Sequence, residues 1–245
     1  MKAMILAAGI GSRLRPLTDR MPKALVTVAG TPLIEIVLHR LAAVGVQDVI
    51  INTFHHAALL EDYLRRRPQD GLRIAISHET ELLDTGGGLA QAAWFFAGDE
   101  PFVLHNADIV SGVDLRSLAA LQARTGALAV LSVRARQTSR HFLFDAGGQL
   151  VGWENSETQS RDWASGAIDN ATPLAFDGIQ VLSPRIFSGF TETGAFALTK
   201  AYLRLAGTGE RILAHRSDAS YWADIGSVAK LQAVEQHVAT AGLPA

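Results

Sequence analysis

The chain contains no cysteine among its 245 residues. That absence excludes disulfides, thiolate nucleophiles and thiolate metal sites together, and it fits a reducing, cytoplasmic compartment. Any metal must then be held by oxygen or imidazole. Imidazole is poorly signposted as well. His55 and His56 are adjacent, so they cannot share a helical face, and neither His-x-x-x-His nor His-Glu-x-x-His occurs. Long apolar runs are also missing: the stretch from Leu33 to Val44 is interrupted by Glu35, His39 and Arg40, short of the roughly 20 residues a membrane-spanning helix needs. Charge of one sign is not in excess either. Lys plus Arg number 22 against 24 Asp plus Glu, a formal net charge of −2, with no like-charge block. Neither nucleic acid nor an anionic membrane is therefore an expected partner. No Gly-x-Ser-x-Gly elbow is present, which removes the best-marked hydrolase pattern.

What is present is a hydrophobic content of 48%, enough for a sizeable core, and an alternation of strand-like and helix-like segments. The start, MKAMILAAG, is an apolar run too short for a signal peptide before Gly11, Arg13 and Arg15, and it reads as a buried strand over Ala3 to Ala8. Thr31 and Pro32 open a helical pattern through Leu33, Ile36, Val37, Leu41 and Val44, with Gly45 as its stop. Strands follow at 48–52 and 73–77 with a helix over 57–66 between them, then a helix at 88–96 and a strand at 102–105. Near residue 135 the texture changes. Gly147 and Gly148 lie between two β-prone runs and predict a hairpin, and the polar stretch from Asn155 to Thr172 predicts a long loop. The fold class expected is α/β: a Rossmann-like, mostly parallel sheet flanked by helices, with a small appended lobe.

The segment LAAGIGSRLRPLTDRMPKAL, residues 6 to 25, leaves an apolar strand and runs through two glycines into cationic residues. Gly9 and Gly11 permit backbone N–H groups to approach a polyphosphate, and Arg13 and Lys23 supply charge to it. It is not a dinucleotide fingerprint, because Leu14 stands where a third small residue is needed, and it lacks the Gly-Lys-Ser/Thr of a P-loop. A Gly-x-Gly alone would read as an ordinary strand-to-loop turn. The string ETELLDTGGGLA, residues 79 to 90, places three glycines before a helical pattern, where free N–H groups can face a base, ribose or phosphate. Asp108 follows an apolar strand in HNADIV, and Asp224 ends another in YWADIGS. Each alone reads equally as a cap or turn residue. Together, near a triphosphate, they supply the hard oxygen ligands that Mg²⁺ takes.

Residues 6 to 25 meet every fixed position of L-A-A-G-x-G-x-R-x-R-P-L-T-x-x-x-P-K-x-L, the signature of the sugar-phosphate nucleotidyltransferases, and the chain resembles that family. The resemblance implies a single domain, with nucleotide-binding in about residues 1–135 and sugar-binding in about 136–245. It implies that the loop of Ala8, Gly9, Gly11 and Ser12 wraps a nucleoside triphosphate, that Arg13 contacts the phosphates including the departing pyrophosphate, and that Lys23 meets the α-phosphate. Glu79, Thr85, Gly86 and Gly87 become nucleoside contacts. Asp108, in an N-G-D motif altered to Asn106-Ala107-Asp108, and Asp224, in W-x-D-I-G, become Mg²⁺ ligands, with Arg13, Lys23 and Asp108 catalytic. The sugar-side matches are Asn106, Glu154, Asp177 and Gly178, although no lysine follows Glu154 as it does in F-x-E-K-P. The implied reaction joins a nucleoside triphosphate to a sugar 1-phosphate and releases pyrophosphate. L-x-T-G-G-G with W-x-D-I-G is similar to the N-acetylmuramate-1-phosphate uridylyltransferases of peptidoglycan recycling. Mannose- or heptose-type guanylyltransfer and glucose-1-phosphate thymidylyltransfer are the rival reactions, and a catalytically silent nucleotide-sugar-binding subunit is the non-enzymatic one. The oligomeric state does not follow from the sequence.

Overall fold

The structure, a computed structural model, describes residues 1–68 and 70–244. From the amino terminus the chain runs through β1 (Lys2–Leu6), the short strands β2 (Thr27–Val28) and β3 (Thr31–Pro32), α1 (Leu33–Ala43), β4 (Asp48–Thr53), α2 (Ala57–Arg66) and β5 (Arg73–His78). It continues through α3 (Asp84–Gln91), β6 (Phe102–Asn106), β7 (Ile109–Ser111), α4 (Leu115–Thr125), β8 (Ala129–Arg134), β9 (Arg140–Phe144), β10 (Leu150–Asn155) and β11 (Ser160–Trp163). β12 (Thr172–Leu182), α5 (Ile186–Gly189), α6 (Leu198–Gly207), β13 (Ile212–Arg216), β14 (Trp222–Asp224) and α7 (Val228–Ala241) complete it.

These elements form two compact units. The first comprises Met1–Leu83, Leu104–Val113 and the carboxyl-terminal segment from Ser220. Its strands lie in the order β6-β1-β4-β5, and β1, β4 and β5 run parallel, with Met4 opposite Ile50 and Ile50 opposite Ala75. Ala3, Met4 and Ile5, like Val49, Ile50 and Ile51, have no exposed surface. Such unbroken apolar strands are what a parallel sheet covered on both faces requires. α1 starts one residue later than the sequence indicates, because Pro32 still pairs with Thr27 before the helix turns. Gly45, at φ +87°, ends it.

The last part of the chain returns to this unit. β14 pairs antiparallel with β7, setting Asp224 opposite Ile109. α7 comes next, capped by the Ser227 hydroxyl, which accepts from the Lys230 N–H, and its Leu231 and Val234 join Leu14, Val26, Val28, Leu33, Ile36, Val110 and Ile225 in one apolar cluster. The chain thus does not part into halves near residue 135. Residues from Ser220 onward belong with the first strands because β7 supplies their pairing partner.

The second unit, Asp84–Val103 with Asp114–Ala219, is no small lobe. Its strands lie in the order β11-β10-β9-β12-β8-β13, antiparallel except for β8 with β13. The expected hairpin is β9–β10, and its turn is fixed by Asp145, whose carboxylate accepts from the Gly147 and Gln149 N–H groups at 2.9 Å each. The expected long loop at 155–172 is partly ordered instead. β11 folds back on β10 with Asn155 opposite Ser160 and Gly152 opposite Trp163.

Two buried polar groups hold the strands of the first unit that precede the site. Arg40 on α1 donates to the Ser111 hydroxyl (2.9 Å) and the Val113 carbonyl (2.6 Å), fixing the end of β7. Burial lowers its pKa to about 10, so it remains charged at neutral pH. His105, in β6, has no exposed surface. Its Nδ1 donates to the Asn106 carbonyl at 2.8 Å, which leaves the Nε2 lone pair without a partner among the described residues. Burial, reinforced by the charge of Arg40, outweighs that bond and depresses the imidazole pKa to about 3. Above pH 6.5 His105 is neutral in both folded and unfolded chains. Below it the unfolded chain takes up a proton that the native one refuses, at about 1.4 kcal/mol per pH unit. In urea unfolding, the wild type should therefore lose about 2 kcal/mol more than His105→Leu between pH 7 and pH 5. Equal losses would show that the native imidazole protonates freely.

Candidate active site

β1 ends at Leu6, at the carboxyl edge of the parallel strands, where open α/β sheets place their ligands. Ala7 and Ala8 are buried, and the chain then emerges as Gly9 and Ile10. Gly11 adopts φ +67°, a left-handed conformation that side chains resist. A β-carbon there would lie 2.9 Å from Thr18 Cγ2 and 3.2 Å from Lys23 Cβ, so glycine also lets Lys23 close on the loop. Thr18 locks the turn by donating its hydroxyl to the Gly11 carbonyl at 2.9 Å. Three short 3-10 turns follow, over Ser12–Leu14, Leu17–Asp19 and Lys23–Leu25. Leu14, 1% exposed, sinks into the apolar cluster beside Ile225 and Leu231. That explains why a large residue stands where a dinucleotide loop needs a small one: the turn is nailed to the core between exposed Ser12 and Arg13 on one side and Arg15 on the other.

The two carboxylates meet through the backbone. Ile225 donates its N–H to the Asp108 carbonyl at 2.9 Å, continuing the β14–β7 ladder, so Asp108 and Asp224 flank the same pairing. Asp108 Oδ2 accepts from the Lys23 ammonium and Asp224 Oδ1 from that of Lys230. A β-carbon on Gly226 would lie 2.7 Å from Asp224 Oδ2 and 3.5 Å from Arg13 Nη2, so this glycine is the floor over which the guanidinium and carboxylate come together. Arg13, Lys23, Asp108 and Asp224 therefore lie in one cluster. Lys230 and Gly226 are additions to it. Among the described residues no group of three or more His, Cys, Asp or Glu could hold a metal alone. Two hard carboxylates fit a divalent cation that completes its shell with water and phosphate oxygens.

Glu79 belongs to the same unit but is no surface carboxylate. It is 1% exposed, with one oxygen accepting from Asn52 Nδ2 at 2.7 Å and the other from the Leu83 N–H at 3.1 Å. Asn106 ends β6, half-buried, its carbonyl held by His105.

In the second unit, the glycines after Leu83 do not precede a helix but lie within it, since α3 begins at Asp84. Their N–H groups are not free. Gly86 and Gly87 donate to the Phe196 carbonyl at 2.9 and 3.3 Å, and the Thr85 hydroxyl accepts from the Leu198 N–H at 3.0 Å. A β-carbon on Gly86 would meet the Phe196 ring at 2.2 Å, so packing accounts for that glycine. Asp177 is likewise corrected to a structural position. It has no exposed surface, and it accepts from Arg134 Nε (2.7 Å), the Ser132 hydroxyl (2.8 Å) and the Ser217 hydroxyl. Gly178, at φ +76°, sits in the bulge between Phe176 and Gln180 on β12. Glu154 lies on β10 opposite both His141 and Arg161. Arg161 Nη2 donates to its Oε2 at 2.5 Å, a cation from β11 at the carboxylate that no lysine follows in sequence.

A glycine loop backed by Lys23 and Arg13 stands beside paired carboxylates at the end of a parallel sheet, an arrangement whose chemistry suits an anionic, metal-binding ligand such as a polyphosphate. The nucleotidyl transferase family pattern matches residues 2–143. The chain is 32% identical over 239 residues to the N-acetylmuramate alpha-1-phosphate uridylyltransferase of Neisseria meningitidis, covering 95% of this chain and 96% of that one. It is 34% identical over 216 residues to the enzyme of the same name from Caulobacter vibrioides, covering 84% and 85%. Its fold is similar to that of a UDP-glucose pyrophosphorylase from Acinetobacter baumanii, with a TM-score of 0.81 at 19% identity over 99% of this chain and 95% of the other. The chain belongs to the nucleotidyl transferase family, as a sugar-1-phosphate nucleotidyltransferase.

The two loop glycines should respond differently to alanine. At Gly11 the positive φ and the contact with Thr18 should cost about 1–2 kcal/mol in urea unfolding. Gly9 has nothing within 4 Å of its β-carbon position, so Gly9→Ala should fold within about 0.5 kcal/mol of wild type. Equal destabilisation would contradict the loop geometry.

Proposed function

We propose that the chain is a Mg²⁺-dependent uridylyltransferase that transfers UMP from UTP to N-acetylmuramate 1-phosphate, yielding the nucleotide sugar and pyrophosphate. The observation that carries the chemistry is the convergence of Lys23, Arg13, Asp108 and Asp224 around the glycine loop. The substrates rest on the two uridylyltransferases that the chain resembles over most of its length. The cysteine-free sequence suits a cytoplasmic enzyme of peptidoglycan recycling, and no helix among the described residues is long and apolar enough to cross a membrane.

In this reading a phosphate oxygen of the sugar 1-phosphate attacks the α-phosphorus in line, a P–O bond forms, and the bond to pyrophosphate breaks. The attacking phosphate is already mostly dianionic at neutral pH, so no residue need remove a proton. Lys23 steadies the charge that grows on the α-phosphate, and Arg13 with the N–H groups of the Ala8 to Ser12 loop holds the leaving pyrophosphate. Asp108 and Asp224 would hold Mg²⁺, which offsets phosphate charge when bound. Lys23 and Lys230 are the cations beside these carboxylates. Asn106, Glu154 and Gly178 are the proposed sugar-side contacts, with Arg161 as the cation beside Glu154. Asp177 has no free oxygen for such a contact and is left out.

Pyrophosphate release should be fastest with UTP and N-acetylmuramate 1-phosphate in a panel that includes GTP with mannose 1-phosphate and dTTP with glucose 1-phosphate. A faster GTP reaction would transfer the assignment to guanylyltransfer. Arg13→Ala and Asp108→Asn should each lose on the order of 10²-fold or more in turnover while keeping a wild-type unfolding transition. A silent binding subunit predicts nucleotide-sugar binding without pyrophosphate from the wild type.

A further inference from the structure

The carboxyl ends of β1, β4 and β5 are tied by a buried polar relay centred on Asn52. Ala7, just past β1, donates its N–H to Asn52 Oδ1 at 2.7 Å. A backbone amide can only donate, so the oxygen of the Asn52 amide must face it. The amide nitrogen is thereby aimed at Glu79 Oε1, which it meets at 2.7 Å. The other Glu79 oxygen accepts from the Leu83 N–H at 3.1 Å, and the Glu79 N–H itself donates to the Thr53 carbonyl at 2.8 Å. Asn52 and Glu79 are 2% and 1% exposed. An ionised carboxylate accepts and cannot donate, so it suits this position, where two donors converge on it.

We propose that Asn52 and Glu79 are positioning residues for the nucleotide. Together they tie the head of the glycine loop, at Ala7, to the 79–83 segment, so that the triphosphate and nucleoside sides of the site are set by one relay. The inference rests on the proposed nucleotidyltransfer, and it alters the role of Glu79. With both oxygens engaged, this carboxylate acts through the backbone rather than by touching the base. Removing one partner leaves a buried donor or acceptor unsatisfied, which is the costly event in such a relay.

A reciprocal exchange tests this. Asn52→Asp sets two carboxylate oxygens face to face, and Glu79→Gln leaves an amide N–H₂ pointing at a donor. In the double variant the carboxylate at position 52 accepts from both the Ala7 N–H and the side-chain amide nitrogen at position 79. The oxygen of that same amide accepts from the Leu83 N–H. All three bonds return with the charge moved by one strand. Each single variant should raise the KM for UTP by about 10-fold or more and leave the KM for the sugar 1-phosphate within about 2-fold. The double variant should recover to within about 3-fold of wild type, where independent effects would multiply to about 100-fold. Multiplicative losses, or equal changes in both KM values, overturn the relay, and a UTP KM that stays high only in variants lacking Glu79 makes that carboxylate a direct base contact instead. Urea midpoints of the same proteins keep the two proposals separable. Lowered midpoints in the single variants with recovery in the double show the hydrogen bonds whether or not the wild type releases pyrophosphate, whereas a wild type inert with every triphosphate ends the proposed function.

Discussion

The antiparallel pairing of β14 with β7 is the constraint on which the site depends. It sets Asp224 beside Asp108 through a short ladder that continues in the bond from Ile225 to the Asp108 carbonyl. Without it the two carboxylates would belong to unconnected parts of the chain. The ladder is itself held from both ends. Arg40 fixes the far end of β7, and the apolar cluster around Ile225, Leu231 and Val234 fixes the chain beyond β14. The same cluster buries Leu14. One core therefore sets both the carboxylates and the glycine loop, and the hydrophobic side chain at position 14 is as much a part of the site's geometry as the cations around it.

Electrostatically the first unit gathers Lys23, Arg13 and Lys230 about two carboxylates and an exposed glycine turn. Each ammonium has a carboxylate partner, Asp108 for Lys23 and Asp224 for Lys230. Each also keeps part of its surface in solvent, where phosphate oxygens can compete for it. Positive groups already in place cost no reorganisation when charge develops on a bound phosphate. A chemistry that needs charge stabilisation and alignment more than a nucleophile suits such a site, and membership of the nucleotidyl transferase family agrees with it.

Much of this was legible because it is local. Residues 6 to 25 carry their turn, their cations and their anchor in one continuous string, and the apolar strands around Met4 and Ile50 announce a buried parallel sheet by composition alone. The features that escaped notice depend on distant partners. The glycines at 86 and 87 read as an open loop because glycine disfavours helix, yet the Phe196 carbonyl and ring claim them for α3. β11 was invisible because Ser160, Arg161 and Asp162 are exposed and polar, the character of a protected edge strand rather than of a buried one. Asp177 resembled a ligand contact by motif, and only Arg134, Ser132 and Ser217 reveal it as a buried ion pair. Asn52 was a local signal too, a buried polar residue directly after the apolar run Val49–Ile51 of β4.

In the proposed reaction substrate displaces pyrophosphate directly at the α-phosphorus, with the protein supplying charge and alignment and no covalent intermediate. The stereochemical course of turnover with UTP carrying a chiral α-thiophosphate tests it most directly. A single in-line displacement gives inversion at phosphorus, which is the outcome expected here. Retention would reveal two successive displacements through a nucleotidylated side chain and would contradict the account.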